Sequence, residues 1–186
     1  FKYKIQNIYI TGTRFWKPEG GLTTNDEVVN SYNTFVDNFN EENAEAISAG
    51  SIEALSHSSS EFIEKASGIK TRYLYDKHGS LDPNRMKPKT RPELPDNTSI
   101  LAEMGIESAK KAIANAGISV NDIDGIILGT SHSARNYPAI AIEIQEALGI
   151  NGYAYDMLVG CSSTTFAISN AYSDIASGLA STILVI

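Results

Sequence analysis

The chain has 186 residues, a hydrophobic content of 42% and a formal net charge of −7. This length allows a substantial core, the acidity argues against general nucleic-acid binding, and no apolar run reaches the ~20 residues that cross a bilayer. The sequence does not open like a signal peptide, and its single cysteine cannot form an internal disulfide. We therefore expect a cytoplasmic protein that is not bound to a membrane.

The first part of the chain is predicted to be mostly helical, with two short strands. A capping sequence at 24–27 begins the first helix, and Gly68 ends the third. Four prolines predict an irregular segment at the end of this part. The predicted elements are a strand at 4–11, helices at about 24–38, 41–55 and 60–66, a strand at 69–75 and the irregular segment at 76–96.

Strands and helices alternate regularly in the rest of the chain. Continuous apolar strands between helices indicate an α/β fold with a parallel sheet covered on both faces. No glycine-rich dinucleotide fingerprint follows any of these strands, so the sequence does not predict a nucleotide-binding Rossmann domain. The predicted elements are a helix from 97 or 98 to 116, a strand at 125–130, a helix at 138–149, a strand at 153–159, a helix at 161–177 and a strand at 182–186.

The only cysteine, Cys161, lies in the predicted first turn of a helix that directly follows a buried strand. The N–H groups at such an end favour a thiolate, which is the form that attacks a carbonyl carbon. Asp174 is the only charged residue in this helix, which predicts that the helix is buried on all sides. A nucleophile and a small buried hydrophobic residue both fit this position.

Positive charge is concentrated in one segment of this acidic chain. Residues 65–91 contain eight Lys and Arg residues and two Asp residues, a charge of +6, which leaves −13 for the remainder. Such a segment predicts contact with a small anionic ligand or an acidic partner protein. A solvated lysine-rich loop is the alternative interpretation.

Three sequence blocks together resemble the β-ketoacyl-[acyl-carrier-protein] synthase III family. The first is Phe62-Ile-Glu-Lys-Ala-Ser-Gly-Ile-Lys-Thr-Arg72, and the second is Asp122-Ile-Asp-Gly-Ile-Ile-Leu-Gly-Thr130 followed by the 137–149 block. The third is Asp156-Met-Leu-Val-Gly-Cys-Ser-Ser163 with the helix and strand that follow it. The resemblance implies a thiolase-like fold, of which residues 1–186 would be the N-terminal half, with insertions at about 28–58 and 76–97 and the second half absent.

The resemblance also implies a reaction and a nucleophile. Cys161 would accept an acyl group from acyl-CoA, and the acyl-enzyme would condense with malonyl-carrier protein, with loss of carbon dioxide. The family requires no metal or cofactor beyond these substrates. Its assisting histidine and asparagine come from the second half of the fold, and His57, His78 and His132 do not match that motif.

The resemblance further implies residues for substrate binding and assembly. Phe62 stands where family members that use acetyl-CoA carry a tryptophan that stacks on the adenine, and Ala66 stands where they carry an arginine. These departures weaken the case for acetyl-CoA as the primer. The residues expected to bind CoA or the acidic acyl carrier protein are Phe62, Lys65, Lys70 and Arg72.

Tyr137 corresponds to a residue that reaches the acyl pocket of the partner subunit, and the strand at 182–186 is expected to form a homodimer edge. This strand has no charge, proline or glycine to protect a free edge.

Two other functions compete with the condensing enzyme. One is a cysteine-dependent acyl hydrolase, because strand–cysteine–helix geometry also occurs in nucleophile elbows. The sequence Val-Gly-Cys-Ser-Ser lacks the second glycine of that elbow. The other is an acyl-binding or carrier-binding paralogue without catalysis.

Overall fold

The computed structural model describes residues 7–89, 98–133 and 135–186. Two compact units make up the chain, Lys17–Thr90 and a second unit formed by Phe1–Trp16 with Arg91–Ile186. The helix that the sequence predicts to begin at residue 97 or 98 begins instead at Ile100. In chain order the elements are β1 (Leu22–Thr24), α1 (Asn25–Glu42), α2 (Ala44–Ser48), α3 (Ser60–Ser67), β2 (Thr71–Tyr73), α4 (Lys77–Ser80), α5 (Ile100–Ala116), β3 (Gly125–Gly129), α6 (Ile140–Leu148), β4 (Tyr153–Met157), α7 (Ser163–Ser177) and β5 (Ile183–Val185).

The Lys17–Thr90 unit combines helices with an antiparallel pair of strands. Leu22 of β1 lies opposite Tyr73 of β2. Thr24 caps α1, as the sequence predicts, and it also forms a reciprocal capping box with Glu27. Gly68 ends α3 in the left-handed conformation, with a φ of 71°. The helix predicted at 41–55 is wrong in extent, because α1 continues to Glu42 and only the short α2 follows it, and α4 interrupts the segment predicted to be irregular.

The other unit contains a parallel sheet with the strand order β4-β3-β5. Ile126 and Leu128 of β3 belong to the core that α5 and α6 form on one face, together with Ile144. Ile127 of β3 packs with Ala167 and Ala171 of α7 on the opposite face. The predicted α/β fold with a parallel sheet covered by helices on both faces is therefore confirmed.

The predicted strand at 4–11 is wrong where the structure describes it. Residues 7–11 have no regular secondary structure, and residues 4–6 lie outside the described residues. Tyr9 and Ile10 are about three-quarters exposed, at 74% and 75%. A strand needs a partner, and residues 7–11 pair with none of the strands β4, β3 and β5 that form the parallel sheet within the described residues.

The prediction that the cysteine helix is buried on all sides is also wrong for this chain. Ser163, Ala167 and Ala171 of α7 are buried, whereas Phe166 and Tyr172 are 51% and 53% exposed. The absence of charge in α7 therefore does not mean burial on all sides, because the sheet covers only the face that carries Ala167 and Ala171. Within the described residues, no helix is both long enough and apolar enough to cross a membrane.

Candidate active site

Cys161 is exposed in a single 3-10 turn that joins β4 to α7. This turn, Gly160–Ser162, is closed by bonds from the N–H of Ser162 to Val159 O and from the N–H of Ser163 to Gly160 O. Neither bond uses the N–H of Cys161. The sequence prediction placed the cysteine within the α-helix, whereas the α-helix begins two residues later, at Ser163. The prediction that the cysteine follows a strand and lies near the start of a helix agrees with the structure.

Ser163 fixes this turn against the end of β3. Its side chain is buried, with 2% of the residue exposed. The hydroxyl oxygen accepts the N–H of Val159 at 2.8 Å and lies 2.9 Å from Thr130 O and 2.8 Å from Gly160 O. Sequence reasoning missed Ser163, because its partner Thr130 lies 33 residues earlier in the chain.

Gly129 lets α7 begin very close to β3. A Cβ atom at this position would lie 2.8 Å from Thr164 N and 2.9 Å from Ser163 C, both of which are backbone atoms. Only a residue without a side chain leaves room for the helix start. The close approach places the turn with Cys161 at the carboxyl edge of the parallel sheet, where ligand sites form in α/β proteins.

The loop after β3 lies at the same edge of the sheet. Tyr137 is 87% exposed, and His132 is also exposed. Arg135 anchors the loop, because its Nε donates to Pro138 O at 3.0 Å and its guanidinium forms an ion pair with Glu143 of α6. The structure therefore presents the Tyr137 side chain to solvent from an anchored loop.

The predicted start of α6 is corrected by two residues. Pro138 was predicted to occupy the first helical position, but the helix begins at Ile140. The N-cap residue of α6 is Ala139, and it makes no side-chain hydrogen bond to the helix. The carboxylate of Asp156, on β4, instead accepts the N–H groups of Ile140 and Ala141 at 2.8 Å each. A carboxylate at this position complements the positive end of α6 and ties the helix to β4.

The other predicted site residues lie in the Lys17–Thr90 unit. Phe62 of α3 is 67% exposed, and Lys65 is exposed in the last turn of the same helix. Lys70 lies 3.1 Å from a carboxylate oxygen of Glu64. Arg72 donates to Asn25 Oδ1 at 2.6 Å. It is partly buried, whereas the other three residues predicted to bind CoA are exposed. Arg91, at the end of the basic segment, lies outside the described residues.

Phe62 also lines an open groove of about 640 Å³ between α1, α3 and the loop before α3. Its apolar lining residues are Val28, Val29, Tyr32, Phe62, Ile63 and Met86. The structure thus places Cys161 and Tyr137 in the unit with the parallel sheet, and places the predicted CoA-binding residues in the other unit. Among the described residues, no cluster of three His, Cys, Asp or Glu side chains could hold a metal ion.

Curated relatives of the chain are bacterial condensing enzymes. It is 53% identical to the β-ketodecanoyl-[acyl-carrier-protein] synthase of Pseudomonas aeruginosa over 156 residues, which cover 84% of this chain and 45% of the relative. It is 46% identical to the β-ketoacyl-[acyl-carrier-protein] synthase III of Bartonella tribocorum over 45% of this chain and 26% of the relative. No protein-family model matches the chain.

A solved structure agrees with these relatives. The 3-oxoacyl-[acyl-carrier-protein] synthase III of Aquifex aeolicus superposes with a TM-score of 0.64 at 25% identity, over 95% of this chain and 42% of the other. The chain spans less than half the length of each of these three proteins. In sequence and fold, the chain is homologous to part of the β-ketoacyl-[acyl-carrier-protein] synthase III enzymes, which confirms the resemblance and the thiolase-like fold.

Proposed function

We propose that the protein containing this chain is a β-ketoacyl-[acyl-carrier-protein] synthase III-like condensing enzyme of fatty acid or related biosynthesis, with Cys161 as its nucleophile. One observation carries the proposal: the single cysteine is exposed in the turn after β4, in a chain 53% identical to a β-ketodecanoyl synthase. The turn lies at the carboxyl edge of a parallel sheet, where a substrate can reach it.

The reaction proceeds in two steps. The Cys161 thiolate attacks the carbonyl carbon of an acyl-CoA thioester, and CoA leaves as its thiolate and takes up a proton. Malonyl-carrier protein then loses carbon dioxide, and the resulting carbanion attacks the acyl carbon, which releases the Cys161 thiolate and a β-ketoacyl-carrier protein. The N–H of Cys161 donates to the oxyanion of each tetrahedral intermediate, a contribution worth about 3 kcal/mol of barrier for one well-placed donor.

We further propose that this chain is the N-terminal half of the enzyme. The exposed apolar side chains of α7 support this, because Phe166, Ile168 and Tyr172 are each about half exposed here, at 51%, 47% and 53%. Several large apolar side chains exposed on one helix are typical of a helix that packs against a further part of a protein. The second half would cover these side chains and supply the histidine and asparagine that promote decarboxylation.

The primer is proposed to be an eight-carbon acyl group. The Pseudomonas relative is named for a ten-carbon β-ketoacyl product, and malonyl retains two carbons after it loses carbon dioxide. The acyl donor therefore supplies the other eight carbons of the product. The sequence agrees with a primer other than acetyl, since Phe62 and Ala66 replace the tryptophan and arginine of acetyl-CoA users.

The remaining parts of the proposal concern binding and assembly. Phe62, Lys65, Lys70 and Arg72 would contact CoA or the acidic carrier protein, and the reaction would need no cofactor. Exposure of Phe62 and Lys65 supports this role. The enzyme would be a cytoplasmic homodimer joined along the strand at 182–186, with Tyr137 extending to the partner. The position of β5 at a sheet edge and the 87% exposure of Tyr137 support that assembly.

Release of carbon dioxide from malonyl-carrier protein tests the proposal. The complete protein is incubated with malonyl-carrier protein and either acetyl-CoA or octanoyl-CoA, and the carbon dioxide and the acyl-carrier product are measured. We expect β-ketodecanoyl-carrier protein from octanoyl-CoA and much less product from acetyl-CoA. Hydrolysis of octanoyl-CoA without release of carbon dioxide would instead identify an acyl hydrolase, and no reaction with either donor would favour a binding paralogue.

A further inference from the structure

The hydrogen-bond ladder between β3 and β4 is interrupted directly before Cys161. The N–H of Thr130 still donates to Met157 O, at 3.1 Å. In a parallel ladder with this register, the next bond would run from the N–H of Val159 to Thr130 O. The N–H of Val159 donates instead to the hydroxyl oxygen of Ser163, which lies 2.9 Å from Thr130 O.

Ser163 thus occupies the place of one ladder bond. Its oxygen accepts from Val159 at 2.8 Å, and its single hydrogen can point to Thr130 O or to Gly160 O. The inserted atom holds the two strands apart at this point. The chain then turns at Gly160, with a φ of 59°, into the residue that carries the thiol.

We propose that Ser163 is a positioning residue for Cys161. By separating the ends of β3 and β4, its hydroxyl sets the direction of the turn, and with it the thiol and the N–H of Cys161. The hydroxyl itself is buried, and its hydrogen-bond partners are all backbone groups. This inference rests on the proposed function, because the quantity that it explains is the geometry of acyl transfer to Cys161.

The variant Ser163→Ala distinguishes positioning from stability. Without the hydroxyl, the N–H of Val159 can bond directly to Thr130 O, so the fold keeps a ladder bond while the cysteine turn moves. We expect the turnover of acyl transfer to fall about tenfold or more with the Michaelis constant within about twofold, because small displacements of a nucleophile lower the rate steeply. The midpoint of thermal unfolding should change little.

Two other variants complete the comparison in the full-length protein. Ser163→Thr keeps the hydroxyl and should restore most of the turnover. Ser162→Ala removes a neighbouring exposed hydroxyl that does not cap the helix, and it should leave the turnover unchanged. An unchanged turnover in Ser163→Ala, or a lowered unfolding midpoint with unchanged kinetics, would overturn the proposal. If Ser163→Ala does not fold, Ser163→Thr decides, and a folded threonine variant without turnover would overturn it.

A second measurement does not depend on the acyl donor. The rate of Cys161 alkylation by iodoacetamide is followed by intact mass in the wild type and in the three variants. We expect Ser163→Ala to change this rate about threefold or more and Ser162→Ala to leave it within about twofold. A wild type that is alkylated at Cys161 but never acylated would refute the proposed function. Equal alkylation rates in Ser163→Ala and wild type would refute the role of Ser163.

Discussion

Gly129→Ala should move the start of the cysteine helix. The added Cβ would lie 2.8–2.9 Å from backbone atoms of Ser163 and Thr164, whereas ordinary contacts of a Cβ begin at 3.4 Å. The helix start must therefore move away by 0.5–0.6 Å, the difference between these distances. Overpacking of this kind destabilises the fold by about 1–3 kcal/mol. The lower conformational entropy of the unfolded alanine variant offsets about 0.4–1 kcal/mol of this loss.

We therefore expect Gly129→Ala to be destabilised by about 1–2 kcal/mol and to acylate Cys161 more slowly. Urea unfolding followed by circular dichroism measures the first effect, and the rate of acyl-adduct formation measures the second. Gly105→Ala is the matched control, since its Cβ would meet Ile144 Cδ1 at 2.5 Å, the flexible end of a side chain on the opposite face of the sheet.

Gly105→Ala should keep the wild-type rate of acylation. This role of Gly129 would be disproved if Gly129→Ala unfolded at the wild-type urea concentration and acylated Cys161 at the wild-type rate. It would also fail if both alanine variants lost acylation equally, because the effect would then not depend on the approach of α7 to β3.

Three further outcomes are expected. The pKa of Tyr153 is raised, first by burial and then by the carboxylate of Asp174, which accepts a hydrogen bond from the Tyr153 hydroxyl at 2.6 Å. The neutral phenol thus stabilises the fold fully below about pH 10 and less above it. The difference in unfolding free energy between wild type and Tyr153→Phe should shrink between pH 8 and pH 11, and a constant difference would contradict this. The double variant Lys65→Glu/Lys70→Glu should have a higher Michaelis constant for acyl-CoA than the wild type at low salt and the same constant at high salt, because exposed charges are screened over about 10 Å at 0.1 M. Equal Michaelis constants of the variant and the wild type at low salt would show that these lysines are only solvated surface residues. The N–H groups of Ile183 and Val185 point away from β3. If β5 is the dimer edge, the protein should sediment as a dimer and these two groups should exchange slowly with deuterium. Fast exchange or a monomer would contradict that assembly.

Features that depend on neighbouring residues could be predicted from the sequence. The capping box of Thr24 and Glu27 and the glycines that end α3 and α5 act within a few residues, so their residue types identify them. The apolar strands of the second unit likewise predicted the parallel sheet, because a strand buried on both faces has no polar alternation.

Features that depend on distant partners could not be predicted. The carboxylate that accepts the first N–H groups of α6 belongs to Asp156, 16 residues after Ile140. The position of the cysteine turn depends on the hydrogen bond between Ser163 and Thr130. The apolar composition of α7 indicated burial, but it could not show that only one of the two faces is covered in this chain. In each case the contact joins residues that are far apart in the chain or in different parts of the protein, so the local sequence does not reveal it.

The whole proposed reaction depends on the transfer of an acyl group to Cys161, and intact mass spectrometry measures this transfer. The complete protein and its Cys161→Ala variant are incubated with octanoyl-CoA in the absence of malonyl-carrier protein, and the adduct is located by peptide mapping. We expect one octanoyl group on Cys161 in the wild type and none in the variant. An unmodified wild type, or an adduct that persists in Cys161→Ala, would contradict it.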